Sequence, residues 1–162
     1  MKLVERETFY ICGYAVETTA EQNNNDISSL YGNFFETGKE AALLRLQGSK
    51  RGYYGLSWYT KDHEKYCYLL GIEVGRVNEP PENALLKVVS RTTYAVADYP
   101  HEKDIMKAWN EFFYTDIPKA GYAPNEQHNL YFEYYPESVH GDYELWVPVV
   151  KSNVEAEANL SS

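Results

Sequence analysis

Glu133 stands between Tyr131 and Tyr135 in the run LYFEYY, residues 130–135. A carboxylate flanked by phenol rings can do two kinds of chemistry. Ionised, it balances a cationic ligand whose flat body stacks on the rings, each cation–π contact adding about 0.5–2 kcal/mol. Buried, its pKa rises, and it can serve as general base or acid on a water attacking an electrophile. A lone strand glutamate is more often exposed or paired with Lys or Arg, so its neighbours must decide.

Those neighbours read as a β-hairpin over residues 129–150, with Pro136, His140, Gly141 and Asp142 in the loop. Alternation places Leu130, Phe132 and Tyr134 on one face and Tyr131, Glu133 and Tyr135 on the other. On the second strand Tyr143, Leu145, Val147 and Val149 share a face, opposite Glu144, Trp146 and Pro148. One face of the hairpin is ordinary core. The other is expected to carry Glu133 among tyrosines, with Trp146 on the neighbouring strand.

Elsewhere, residues 3–17 read as one strand, with Gly13 at a bulge or close approach. Residues 23–26 cap a helix in which Ile27, Leu30, Tyr31, Phe34 and Phe35 form an amphipathic stripe. Gly38 ends it, and 40–46 continue as a second helical piece. A second hairpin joins 53–60 to 65–74 around the polar loop 61–64. The segment NEPPEN, 78–83, is a linker. A strand over 85–97 follows. Pro100 then opens a helix striped by Ile105, Ala108, Trp109, Phe112 and Phe113, which Pro118 should stop. A loop through Gly121 and Pro124 leads to the last hairpin. The tail, 151–162, has no core residues and reads as loosely attached.

Strand, helix and hairpin thus occur twice, ISSLYGNFF answering IMKAWNEFF, and Tyr68, Leu70, Ile72 and Val74 answering Tyr143, Leu145, Val147 and Val149. In this register Trp58 answers Glu133 and Leu56 answers Tyr131, while His63 and His140 fall in the hairpin loops. The expected fold is α+β: duplicated β-α-β-β units (1–77 and 84–150) with pseudo-two-fold symmetry, forming a single domain over 1–150. Antiparallel sheets would carry helices on one side. A ligand cleft between the halves would use the other, lined by Trp58, Leu69, Tyr131, Glu133, Tyr135 and Trp146. Trp58 and Trp146 are candidate walls for a planar ligand. Tyr14, Tyr94 and Tyr135 are candidate hydroxyl donors, Tyr135 also as the catalytic partner of Glu133. Trp109, on the helical stripe, is assigned to core.

The chain has 162 residues, 44% apolar, with 16 tyrosines and a formal net charge of -9. Without a basic cluster, direct nucleic-acid binding is not expected. No apolar run approaches the roughly 20 residues that span a bilayer, and the charged start MKLVERETFY lacks a signal-peptide core, so cytoplasmic residence is the default. Cys12 and Cys67 read as reduced thiols. His63, His101, His128 and His140 lack metal-ligand spacing, Ser57 lacks a nucleophile elbow, and no glycine-rich phosphate loop occurs. Neither metal nor cofactor is expected.

The repeat, KAWNEFF with the following Gly121-Tyr122, the strand NLYFEYY and the ending YELWVPV resemble the GyrI-like small-molecule-binding domain. That family includes the effector domains of multidrug-sensing transcription regulators. The resemblance covers about residues 1–150. It implies an aromatic pocket between the halves with Glu133 at the family's glutamate position. Members fused to a helix-turn-helix sense lipophilic cations; others stand alone, some similar to hydrolases that open strained, DNA-alkylating cyclopropanes. The two units leave no segment for a helix-turn-helix, so a standalone member is expected. Three functions stay open: binding or sensing of a lipophilic small molecule, neutral or cationic; hydrolysis of reactive xenobiotics with Glu133 as base; and a protein-interaction role such as gyrase inhibition, its partner unspecified.

Overall fold

The computed structural model describes residues 1–60 and 64–152. His63 and the tail beyond Ser152 lie outside these. Among the described residues the chain runs β1 (Lys2–Arg6), β2 (Phe9–Thr18), α1 (Asn23–Glu36), α2 (Lys39–Leu44), β3 (Tyr53–Tyr59), β4 (Tyr66–Val74), β5 (Leu85–Val89) and β6 (Thr92–Tyr99). Then follow α3 (Ile105–Glu111), a π-helical segment (Phe112–Asp116), α4 (Ile117–Lys119), β7 (Tyr122–Pro124), β8 (Tyr131–Tyr135) and β9 (Tyr143–Lys151). The fold is α+β. All described strands pair antiparallel in the order β1-β6-β9-β8-β3-β4-β2-β5, with β7 on β9.

Two elements differ from expectation. The single strands expected over 3–17 and 85–97 are each broken, at residues 7–8 and 90–91. Nothing in VERET or VVSRTT signals a break, because neither holds Gly or Pro. The break is a change of partner: β1 joins β6, whereas β2 joins β4 and β5. These short links connect strands far apart in the sheet order, so the sheet must curl. Phe9 of β2 accordingly reaches Phe132 of β8, ring centroids 5.9 Å apart.

The third helix also departs from expectation. Asp104, not Pro100, caps it, its carboxylate accepting from the Lys107 N–H at 3.1 Å. Pro118 does not stop it but lies inside α4. The preceding turn widens to π, which accommodates the missing Pro118 N–H.

The curl leaves two kinds of core. Its inner face is filled by side chains such as Phe9, Leu56, Leu69, Tyr94, Phe132 and Trp146. The opposite face is covered by helices: Leu30, Phe34 and Leu43 pack on Leu70 and Ile72, and Ala108, Phe112 and Ile117 pack on Leu145 and Val147. Both helical layers share one face, because Leu70, Gly55, Glu133 and Leu145 are successive cross-strand partners. The β3–β8 pair joins the two layers, and above it the helices stand apart.

Candidate functional site

The gap between α1 and α3 is a cavity of about 750 Å³. It lies on the helix-covered face, not on the opposite one as expected from the sequence. That opposite face curls inward and fills itself. Ile27 and Tyr31 form one wall, and Ile105, Trp109 and Phe113 the other. The floor is Ser57, Tyr68, Tyr131, Glu133 and Tyr135. The β8–β9 loop brings His140 to the cavity, while its neighbour Val139 packs against both helical layers.

Glu133 is 7% exposed. Tyr68 donates its hydroxyl hydrogen to Glu133 Oε1, and Trp109 donates Nε1–H to Oε2 at 3.2 Å. Tyr135 lines the same cavity floor beside it. Tyr31 and Tyr68 hydroxyls lie 2.6 Å apart. With the Tyr68 proton committed to an ionised Glu133, Tyr31 must donate. The chain Tyr31→Tyr68→Glu133←Trp109 therefore ties α1 to α3 through the floor.

No described Lys, Arg or His forms an ion pair with Glu133. Burial pushes its carboxyl above the ordinary value, and the hydrogen bonds from Tyr68 and Trp109 pull it partly back. Burial, then the charge of Glu133, pushes the Tyr68 and Tyr135 hydroxyls upward, so both remain protonated donors. Among the described residues no cluster of three or more His, Cys, Asp or Glu could hold a metal. No helix among them is long and apolar enough to cross a membrane.

Backbone geometry makes room for this carboxylate. Gly55 faces Glu133 across β3–β8 and Leu70 across β3–β4. A Cβ there would meet the Tyr68 hydroxyl oxygen at 2.0 Å and Glu133 Oε1 at 2.7 Å. Glycine is needed because the bonded pair occupies its side-chain space. Gly13 is a close approach of the same kind, its Cβ falling 2.3 Å from the Leu70 carbonyl oxygen.

Of the residues singled out in the sequence, Tyr131, Glu133 and Tyr135 line the cavity together. Trp146 does not share their face. It pairs with Phe132, the rings stacked at 5.2 Å, while Leu145 is the partner of Glu133. Leu69 is fully buried on that inner face, as is Tyr94. Tyr14 packs under α1 against Phe34, outside the cavity. Trp58 borders the cavity, but it packs against the inner core and has Lys87 Nζ 4.2 Å from its ring centroid. The reason is register. Leu56, not Trp58, is a direct partner across from Phe132. One step on, Ser57 shares the face of Glu133, and Trp58 turns away.

Tyr31, Tyr68, Trp109, Phe113 and Gly55 belong to the site without having been singled out for it. One signal was present. Tyr31 and Trp109 hold matching places in ISSLYGNFF and IMKAWNEFF, each one residue past the core positions Leu30 and Ala108. That step rotates a side chain by about 100°, to the flank of the helix.

Residues 2–149 match the family described as Cass2, integron-associated effector binding protein. No curated protein matches the chain. Among solved structures, SAV2435 bound to tetraphenylphosphonium is similar with a TM-score of 0.75 and 15% identity, over 92% of this chain and 93% of that one. The integron cassette protein VCH_CASS2 from the mobile metagenome of Vibrio cholerae aligns with a TM-score of 0.66 and 19% identity, over 92% and 95%. The EcmrR C-terminal domain aligns with a TM-score of 0.62 and 15% identity, over 93% and 96%. At such identities these likenesses show the fold, and the family match carries the assignment. The chain belongs to the integron-associated effector-binding protein family, with the GyrI-like fold of small-molecule-binding domains.

Proposed function

We propose that the protein binds a lipophilic aromatic cation in the cavity between α1 and α3. The observation that carries this reading is the Glu133 carboxylate, buried at the floor of an aromatic cavity with no described cation paired to it. An ionised carboxylate taken from water costs several kcal/mol unless a charge answers it. Tyrosine and tryptophan donors offset part of that cost, and a ligand's positive charge supplies the rest. The walls favour the same class: Tyr31, Trp109 and Phe113 line the cavity with aromatic rings, which attract a delocalised cation. The volume suits a drug-sized molecule. A structural relative is known bound to tetraphenylphosphonium, an ion of this kind, which supports the choice of probe.

Calorimetric titration with tetraphenylphosphonium tests this, comparing wild type with Glu133→Gln and recovering the ligand by mass spectrometry. The amide keeps the shape and removes the charge. Affinity should fall by about 30-fold or more, since losing one partner of a buried charge pair costs about 2 kcal/mol or more. Equal affinities would overturn the reading. Consumption of an electrophilic aryl compound by the wild type and not the variant would replace it with hydrolysis.

A further inference from the structure

The way Glu133 is bonded says more about the ligand than its charge does. A carboxylate offers about four lone-pair sites. Tyr68 takes one on Oε1 and Trp109 takes one on Oε2. Tyr31 backs Tyr68, so the Tyr68 hydroxyl cannot swing away without losing two bonds. Tyr68 is itself 4% exposed, and Gly55 is the only residue type that leaves it space. The negative charge is therefore felt in the cavity, while each oxygen that carries it already accepts a buried hydrogen bond.

A primary ammonium arrives with three N–H donors and finds about two vacant lone pairs on Glu133, one on each oxygen. Each buried donor left without an acceptor weakens binding by about fivefold to a hundredfold. A quaternary ammonium or an arylphosphonium has no N–H and gives up no directed hydrogen bond to water on entry. Its attraction to Glu133 and to the ring faces needs only proximity.

We propose that the cavity discriminates by hydrogen-bonding capacity, accepting cations without N–H groups over protonated amines of matched skeleton, and that Tyr68 sets this discrimination by occupying Glu133 Oε1. Tyr68 acts through Glu133 and is a positioning residue. The inference rests on the cation-binding reading above.

The test uses the full chain, 3,3-diphenylpropylammonium and its N,N,N-trimethyl derivative, both singly charged at pH 7.5. Affinities are measured for wild type, Tyr68→Phe and Glu133→Gln, with thermal scans to confirm folding. The wild type should prefer the trimethyl compound by about tenfold or more. Part of that ratio comes from the added methyl groups, so the decisive quantity is its change between proteins, in which methyl area cancels. In Tyr68→Phe the freed Oε1 accepts an N–H, and the preference should shrink by about fivefold or more, the equivalent of one typical net hydrogen bond. An unchanged preference in Tyr68→Phe overturns the proposal, as does a wild type that favours the primary amine. If Glu133→Gln binds both compounds as the wild type does, the cation-binding reading itself fails. If Glu133→Gln weakens both while Tyr68→Phe leaves the ratio fixed, only the selectivity is refuted.

Discussion

Replacing Gly55 with alanine probes the packing that makes the site. The added Cβ would fall 2.0 Å from the Tyr68 hydroxyl oxygen, and 2.7 Å from both Tyr68 Cζ and Glu133 Oε1. Neither neighbour has room to yield. Tyr68 is held between Tyr31 and Glu133, and Glu133 is held by Trp109 from the other side. Relief requires breaking the Tyr68–Glu133 bond, a charge-assisted contact worth about 1.5–3 kcal/mol. Residual overpacking adds about 1–3 kcal/mol. Against this, alanine in a strand recovers about 0.5–1 kcal/mol of backbone entropy. The net loss is about 2–5 kcal/mol. For a chain of this length each kcal/mol lowers Tm by about 2–4 °C, so calorimetry should show a fall of about 5–15 °C. Gly32→Ala is the matched control, because a Cβ at that helical position meets nothing within 4 Å. It should gain up to about 1 kcal/mol. A Gly55→Ala protein melting within about 1 °C of the wild type would refute the account of the site's packing.

Glu133 should also limit the stability of the unliganded protein. Its folded-state pKa is raised, so the folded chain binds that proton more tightly than the unfolded chain. Stability from this group is fully present below the unfolded value of about 4.3 and is lost as pH rises through the folded one. Glu133→Gln escapes that loss, and urea unfolding should find it more stable than wild type at pH 8, with the difference shrinking toward pH 4. A variant less stable at pH 8 would contradict the burial argument. Trp146 stacks on Phe132 at 5.2 Å on the inner face, outside the cavity. Trp146→Phe should therefore cost about 1–3 kcal/mol of stability and leave tetraphenylphosphonium affinity unchanged. A matching loss of affinity would place Trp146 in the site after all.

Much of the fold was legible because it rests on short-range pattern. The stripe of Ile27, Leu30, Tyr31 and Phe34 became α1, and the hairpins around residues 53–74 and 131–151 formed close to their expected limits. Partner choice was not legible. Glu7, Thr8, Ser90 and Arg91 carry no turn signal, and their breaks exist because β1 and β5 each leave the adjacent strand to complete a distant edge. The position of the cavity followed from the same event. Once the sheet curls, its helix-free face closes on Phe9, Leu69, Phe132 and Trp146, and the cavity of about 750 Å³ lies between the helices.

The sequence by itself determined that Tyr131, Glu133 and Tyr135 point the same way, because alternation along a strand is a local property of extended backbone. It determined likewise that Tyr31 and Trp109 occupy matching helical positions. Only the tertiary structure decided what they meet. A shift of one residue in strand pairing exchanges every side chain between the two faces of a sheet. That shift placed Leu145 rather than Trp146, and Ser57 rather than Trp58, on the face of Glu133. The donors that hold the carboxylate come from β4 and α3, 65 and 24 residues away in sequence. No local pattern encodes such a meeting, because it is fixed by how the whole sheet curls and how its helices pack.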